Sequence, residues 1–189
     1  MSDASRDFAI ETARLRLRPW RGSDRGAMAA LLADPEVMWD WGGPLSRAAS
    51  DEKVDRYIAT FREHGFTRWL VERGGAFVGY VGVFPHDASH ALGAHADIGW
   101  RLIREAWGRG FASEAAAAAL RDGFERAGLR EVLAYTSDAN ARSQAVMRRL
   151  RLVRDATRDF TSRANGITER ELVWVARPPA EAGPGTFRN

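Results

Sequence analysis

The chain has 189 residues, 45% hydrophobic and 28% charged, enough for one full core and short for two ordinary domains. It contains no run of about 18 apolar residues and begins with the polar stretch Met1 to Asp7, which reads as neither leader nor anchor, so a soluble cytoplasmic protein is expected. Cysteine is absent, which excludes disulfides, thiolate metal sites and a cysteine nucleophile, and the formal charge of +3 is carried by arginines spread along the chain, with Lys53 the sole lysine. A dispersed basic balance suits an anionic ligand better than a nucleic-acid surface.

Leu15 and Leu17 alternate with Arg14, Arg16 and Arg18 in a half-buried first strand that Pro19 limits. Ser23 opens a short helix carrying Met28, Leu31 and Leu32, and Asp34-Pro35 leads to the turn-rich Trp39-Asp40-Trp41-Gly42-Gly43-Pro44. Val54, Tyr57, Ile58 and Phe61 share one face of a second helix that Gly65 ends. Trp69 to Val71 and Ala76 to Phe84 flank Gly74-Gly75 as a hairpin. A loose segment from Pro85 to Gly93 precedes a strand from His95 to Ile103. A glycine turn follows, then a helix from about Ala112 to Ala127 with a run of alanines small enough to lie close on a sheet. Val132 to Tyr135 reads as strand and Asn140 to Leu150 as helix; Val153 to Phe160 and Ile167 to Val175 form a last hairpin around Asn165-Gly166. The order predicts an α/β or α+β domain over residues 11–177 with a central mixed sheet, flanked by disordered segments at 1–10 and 178–189.

The stretch from Asp97 to Glu114 runs strand, glycine turn, helix. Gly108 and Gly110 can take positive φ and turn successive N–H groups toward one point, and the next helix adds its unpaired first-turn donors. Such a cradle binds phosphate. Ser113 can add a hydroxyl and Arg109 a charge. No Gly-Lys-Ser/Thr follows, and Gly108, Gly110 and Ser113 do not supply a dinucleotide fingerprint. On the strand, Asp97, Gly99, Arg101 and Ile103 share one face and Ile98, Trp100 and Leu102 the other. Gly99 marks a bulge or a close backbone approach. Asn140 and Ser143 lie at the inward end of the stripe Val146, Met147, Leu150, where unpartnered polar groups would cost about 1 to 3 kcal/mol each. Asn140 can cap the helix and Ser143 can bond a carbonyl one turn back. Trp39 and Trp41 either line a groove or join the core. His86, His90 and His95 lack the companions of a metal site, so no metal is expected.

Gly99-Trp100 ahead of Trp107-Gly108-Arg109-Gly110-Phe111-Ala112-Ser113-Glu114-Ala115 resembles the CoA-binding motif of the GNAT acetyltransferases, and in particular the branch that includes the ribosomal-protein N-terminal acetyltransferases. The family pattern is Gln/Arg-x-x-Gly-x-Gly/Ala; Trp107 stands where Gln or Arg is usual, as in this branch, and Gly110 and Ala112 match. The resemblance extends from about Glu11 to Arg177, through Thr12-Ala13-Arg14-Leu15-Arg16-Leu17-Arg18, Asp34-Pro35-Glu36-Val37 and Asn140-Ala141-Arg142-Ser143. Leu150-Arg151-Leu152 departs from the usual Leu-Gly-Phe and is expected to alter the helix exit, not the chemistry.

The resemblance implies a mostly antiparallel twisted sheet of about seven strands with about four helices. It implies a bacterial enzyme that transfers acetyl from acetyl-CoA directly to a primary amine, either a protein N-terminus or a small molecule. Trp107 to Ser113 with Leu102 and Asn140 would hold the cofactor. Leu102 would also offer a strand N–H to the oxyanion, Ser143 would protonate the departing thiolate, and Trp39 and Trp41 would line the acceptor groove. Asp97, where many relatives carry glutamate, would be the base, directly or through water; alternatively it makes an ordinary salt bridge with an arginine. No membrane or stable nucleic-acid partner is implied, and a homodimer is compatible with it. The rival readings are an acyl-CoA-binding module without a working base and an arginine-based RNA factor.

Overall fold

A computed structural model describes residues 8–164 and 166–179. The outer parts of the two expected flanks, and Asn165 of the last hairpin turn, lie outside those residues.

The chain runs β1 (Ile10–Glu11), β2 (Arg16–Arg18), α1 (Arg25–Leu32), α2 (Arg47–His64), β3 (Arg68–Arg73), β4 (Ala76–His86), β5 (His95–Leu102), α3 (Phe111–Glu125), β6 (Val132–Ser137), α4 (Ala141–Arg149), β7 (Val153–Arg154), β8 (Phe160–Ala164) and β9 (Ile167–Ala176). One sheet of nine strands, not about seven, has the order β1-β2-β3-β4-β5-β6-β9-β7 with β8 beside β9. All pairings are antiparallel except β5–β6, which meet at one step, Asp97 opposite Leu133, and then separate.

Alternation along the strands sorts the core into two layers. Trp69, Val71, Val81, Ile98 and Leu102 face α3, whose Ala115, Ala116 and Ala119 are almost fully buried against them. Leu70 and Tyr80 point the other way, to Met28, Leu31 and Leu32 of α1 and Val54 and Tyr57 of α2. α2 ends where expected, with Gly65 at φ 75° bonding the Phe61 carbonyl.

Four expectations are corrected. Phe8 and Ile10 belong to the fold: Phe8 stacks on Trp69 at 5.2 Å and Ile10 pairs with Leu17. Val153 to Phe160 is not one strand, because Asp155 caps a 3-10 turn over Ala156–Arg158 that separates β7 from β8. The irregularity in the sheet lies between Val71 and Glu72, whereas Gly99 stands in regular register opposite Gly82. Arg151 adopts φ 57°, and Leu152 N–H bonds the Met147 carbonyl. The helix exit thus keeps the left-handed residue a glycine would supply, at a strain of about 1–2 kcal/mol.

Candidate active site

Two cavities meet where β5 and β6 separate. The larger, of about 1000 Å³, runs along the turn Trp107 to Ser113 and the start of α4. The smaller, about 390 Å³, lies on the α2 side of the sheet. Asp40, Trp100, Arg101 and Ser143 line both.

The turn has the predicted shape. Gly108 and Gly110 stand at φ 73° and 76°, and Gly110 precedes α3 with no side-chain cap. The first backbone bond of the helix runs from Glu114 N–H to the Gly110 carbonyl, which leaves the N–H groups of Phe111, Ala112 and Ser113 without helical partners. Ser113 Oγ is buried and has no hydrogen-bond partner among the described residues. These surplus donors, with the positive end of α3, fit a pyrophosphate. The turn is latched from behind: Glu114 accepts from Thr12 Oγ1 at 2.6 Å and Arg14 Nε at 2.6 Å, and Arg14 Nη1 donates to the Arg109 carbonyl at 3.0 Å. Trp107 donates Nε1–H to the Leu102 carbonyl at 2.9 Å, and the Arg142 guanidinium lies 4.5 Å from its ring centroid. Arg109, Arg142 and Arg149 line this cavity and make no ion pair among the described residues.

Ile103 N–H bonds across to Val78, so by strand alternation the N–H groups of Trp100 and Leu102 point away from β4, toward the opening beside β6. This is the position foreseen for a Leu102 oxyanion donor.

Asn140 caps α4, accepting from Ser143 N–H at 3.1 Å, and donates Nδ2–H to Asp40 at 3.0 Å. Asp40 also takes Arg101 Nη1 at 2.8 Å, and Arg101 bonds the Val37 carbonyl. One carboxylate therefore ties the Trp39–Trp41 turn to β5 and α4 across the gap. Trp39 and Trp41 are 46% and 40% exposed, which excludes the core alternative; Trp39 lines the larger cavity and Trp41 the smaller.

Asp97 is 5% exposed and fully engaged. Arg68 Nη2 donates to its two oxygens at 2.8 and 2.6 Å, and His86 Nε2 lies 2.8 Å from Oδ1. Gly99 is the close approach that makes this pair fit, since a Cβ there would lie 3.0 Å from the Arg68 Cζ. Burial opposes charge on Asp97, but Arg68 and His86 outweigh it and hold its carboxyl below the usual range. The salt bridge allowed for at the sequence level is thus present, with His86 added to it. Tyr135 reaches His86 and His90 at 3.3 and 3.4 Å, and burial, then the Asp97 charge, push its phenol well up.

Sequence reasoning missed Asp40, Lys53, Arg68, His86, Arg101 and Tyr135. Lys53 stands out in the sequence only as the lone lysine and His86 only within a histidine trio, while Asp40 lies between two tryptophans and Arg101 on the Asp97 face of β5.

His86, His90 and His95 form a ring cluster, with His86 stacked on His95 at 4.8 Å and 12°. Burial, then the neighbouring imidazoles, lower the pKa of His90; burial lowers that of His95 against a Gly93 hydrogen bond. A histidine whose folded pKa is depressed stabilises fully above its unfolded value of about 6.5, and that stability is lost as pH falls through the folded value. Lowering the pH from about 7.5 to about 5 should therefore lower Tm, and a His90→Gln/His95→Gln variant should lose clearly less. Equal losses would exclude the cluster as the cause.

A family model for the acetyltransferase (GNAT) domain matches residues 14–153. The Bacillus subtilis protein YkkB is 30% identical over 144 residues, covering 75% of this chain and 83% of its own. The acetyltransferase from Agrobacterium tumefaciens superposes with a TM-score of 0.75 at 26% identity, over 90% of this chain and 95% of that one. The Salmonella typhimurium acetyl transferase that modifies the N-terminal serine of a 50S ribosomal subunit protein gives 0.76 at 17% identity, over 90% and 99%, and at that distance shares the fold.

Proposed function

Because the chain belongs to the GNAT acetyltransferase family, whose members acetylate with acetyl-CoA, we propose that it transfers acetyl directly to a primary amine of a small molecule or a protein N-terminus. The observation that supports this reading is the junction of two cavities beside the uncapped turn, the larger lined by the turn and three arginines without ion pairs among the described residues, the smaller by Asp97 and the residues around it.

When bound, acetyl-CoA supplies an activated acetyl thioester. The turn amides from Gly108 to Ser113 would hold its phosphates, with Arg109, Arg142 and Arg149 at the rim. Asn140, occupied at its carbonyl by Ser143 and at its amide nitrogen by Asp40, keeps one N–H for the pantetheine arm and chiefly fixes the start of α4. Leu102 N–H would stabilise developing negative charge on the carbonyl oxygen. Ser143, on the wall common to both cavities, would give its proton to the leaving thiolate.

An amine of solution pKa near 10 arrives as ammonium and must lose a proton before attack. Asp97, held by Arg68, is a weak base by itself. If His86 donates Nε2–H to Asp97, its other ring nitrogen is the acceptor, so we assign proton removal to His86 and its orientation to Asp97. The direct test is release of free thiol from acetyl-CoA with a panel of amines, with acetylated products identified by mass spectrometry. Stabilisation by acetyl-CoA but not by ATP or NAD is expected; equal thermal shifts from all three would refute the assignment of the turn.

A further inference from the structure

The smaller cavity is lined by four arginine or lysine cations and four carboxylates, of which only two of each pair with one another. Asp97 takes Arg68 and Asp40 takes Arg101. Two further cations line the same space, Lys53 and Arg56, one turn apart on α2. Among the described residues neither makes an ion pair. Lys53 is only 8% exposed, and its ammonium lies over aromatic rings, 4.2 Å from the centroid of Trp41 and 6.0 Å from that of Tyr57. Arg56 lies 5.4 Å from the Phe84 centroid. A buried ammonium with no counter-ion is costly unless something brings one. Burial lowers the Lys53 pKa, the Tyr80 phenol opposes this in part, and the positive charges of Arg56, Arg68 and Arg101 add to it; an anion seated beside Lys53 would favour the charged form.

Opposite charge lines the cavity from another element. Glu169 and Glu171 of β9 reach it without an ion pair among the described residues, Glu171 only accepting from Ser162 Oγ at 2.8 Å. The cavity thus offers unpaired cations from α2 and unpaired anions from β9 within about 390 Å³, near the small end of ordinary small-molecule sites.

We infer that the acceptor is a small dipolar amine of amino-acid type, whose carboxylate seats on Lys53 and Arg56 while its ammonium group is drawn in by Glu169 and Glu171. The inference rests on the acetyl-transfer reading for the word acceptor, but the subsite itself can be tested without turnover. A peptide N-terminus carries the ammonium without the adjacent carboxylate and would leave Lys53 unpaired.

Because Lys53 is the only lysine, protein labelled with 13Cε-lysine gives one side-chain resonance. The full chain, saturated with CoA, is titrated with each of the common free amino acids, their amides and a tripeptide amide. At least one free amino acid should move the Lys53 signal at a concentration at least about tenfold below that needed by its amide, as expected when a charge-assisted contact is lost. Lys53→Met and the exposed Arg56→Gln should each weaken binding of that amino acid by about tenfold or more in calorimetry, with CoA affinity unchanged. The inference is overturned if no free amino acid moves the signal, if acids and amides act equally, or if only the peptide binds. Acetyl-CoA stabilisation measured on the same sample reports separately: its absence beside an intact Lys53 response would defeat acetyl transfer and leave the subsite standing.

Discussion

Asp97→Asn is expected to lower stability by about 3–5 kcal/mol, the usual result of removing one partner of a buried ion pair. The substitution leaves the Arg68 guanidinium, whose side chain is 11% exposed, without its counter-charge. Arg68→Met should do comparable harm, and the double variant should be less destabilised than the sum of the two, which chemical denaturation would show. In the wild type the sign with pH follows from the depressed carboxyl: the pair stabilises above the unfolded pKa of about 3.9 and fails as pH falls through the folded value. Asp97→Asn should also cut turnover by about 10² to 10⁴-fold at neutral pH, with acetyl-CoA affinity nearly unchanged. That loss should shrink at high pH, where the amine arrives neutral. Wild-type turnover from pH 6 to 9 on a verified acceptor would make Asp97 a structural carboxylate alone.

Gly110→Val should weaken acetyl-CoA binding by about 10²-fold, or about 2.7 kcal/mol. At φ 76° a β-branched residue is strained, while the nearest protein atom to an added Cβ, Arg14 Nη2, lies at an ordinary 3.5 Å. The damage therefore comes from shifting the turn's N–H groups and from a side chain where a phosphate must approach. Gly128→Val is the control, since Gly128 has φ 70° and open space around it. It should cost similar strain and leave affinity intact. Equal acetyl-CoA affinity in wild type and Gly110→Val would refute the cradle.

What was legible in the sequence is what depends on local pattern. Two glycines, a run of small residues and alternation around Gly99 suffice for the turn, the helix behind it and the two faces of β5. The Asn140 cap follows from its place before an apolar stripe. The pairings were not legible: Asp97 finds Arg68 from another strand, and Asp40 finds both Arg101 and Asn140. Periodicity assigns a residue to a face without naming what lies opposite, and a slot made by a glycine shows only when the side chain lying in it is known. The Ala156–Arg158 break was missed because it depends on an aspartate cap inside a segment that otherwise reads as strand.

The single ladder step between β5 and β6 makes the sheet two mechanical panels sharing one apolar floor. Backbone hydrogen bonds carry cooperativity within each panel, whereas between them it passes through side chains, those packed beneath and the few polar ties of Asp40 and Tyr135 across the gap. A molecule lying in the gap and contacting both edges would act as a splint, so part of its binding free energy would appear as resistance of the β6–β9 panel to local opening. Occupancy would then be felt as rigidity far from the atoms that react.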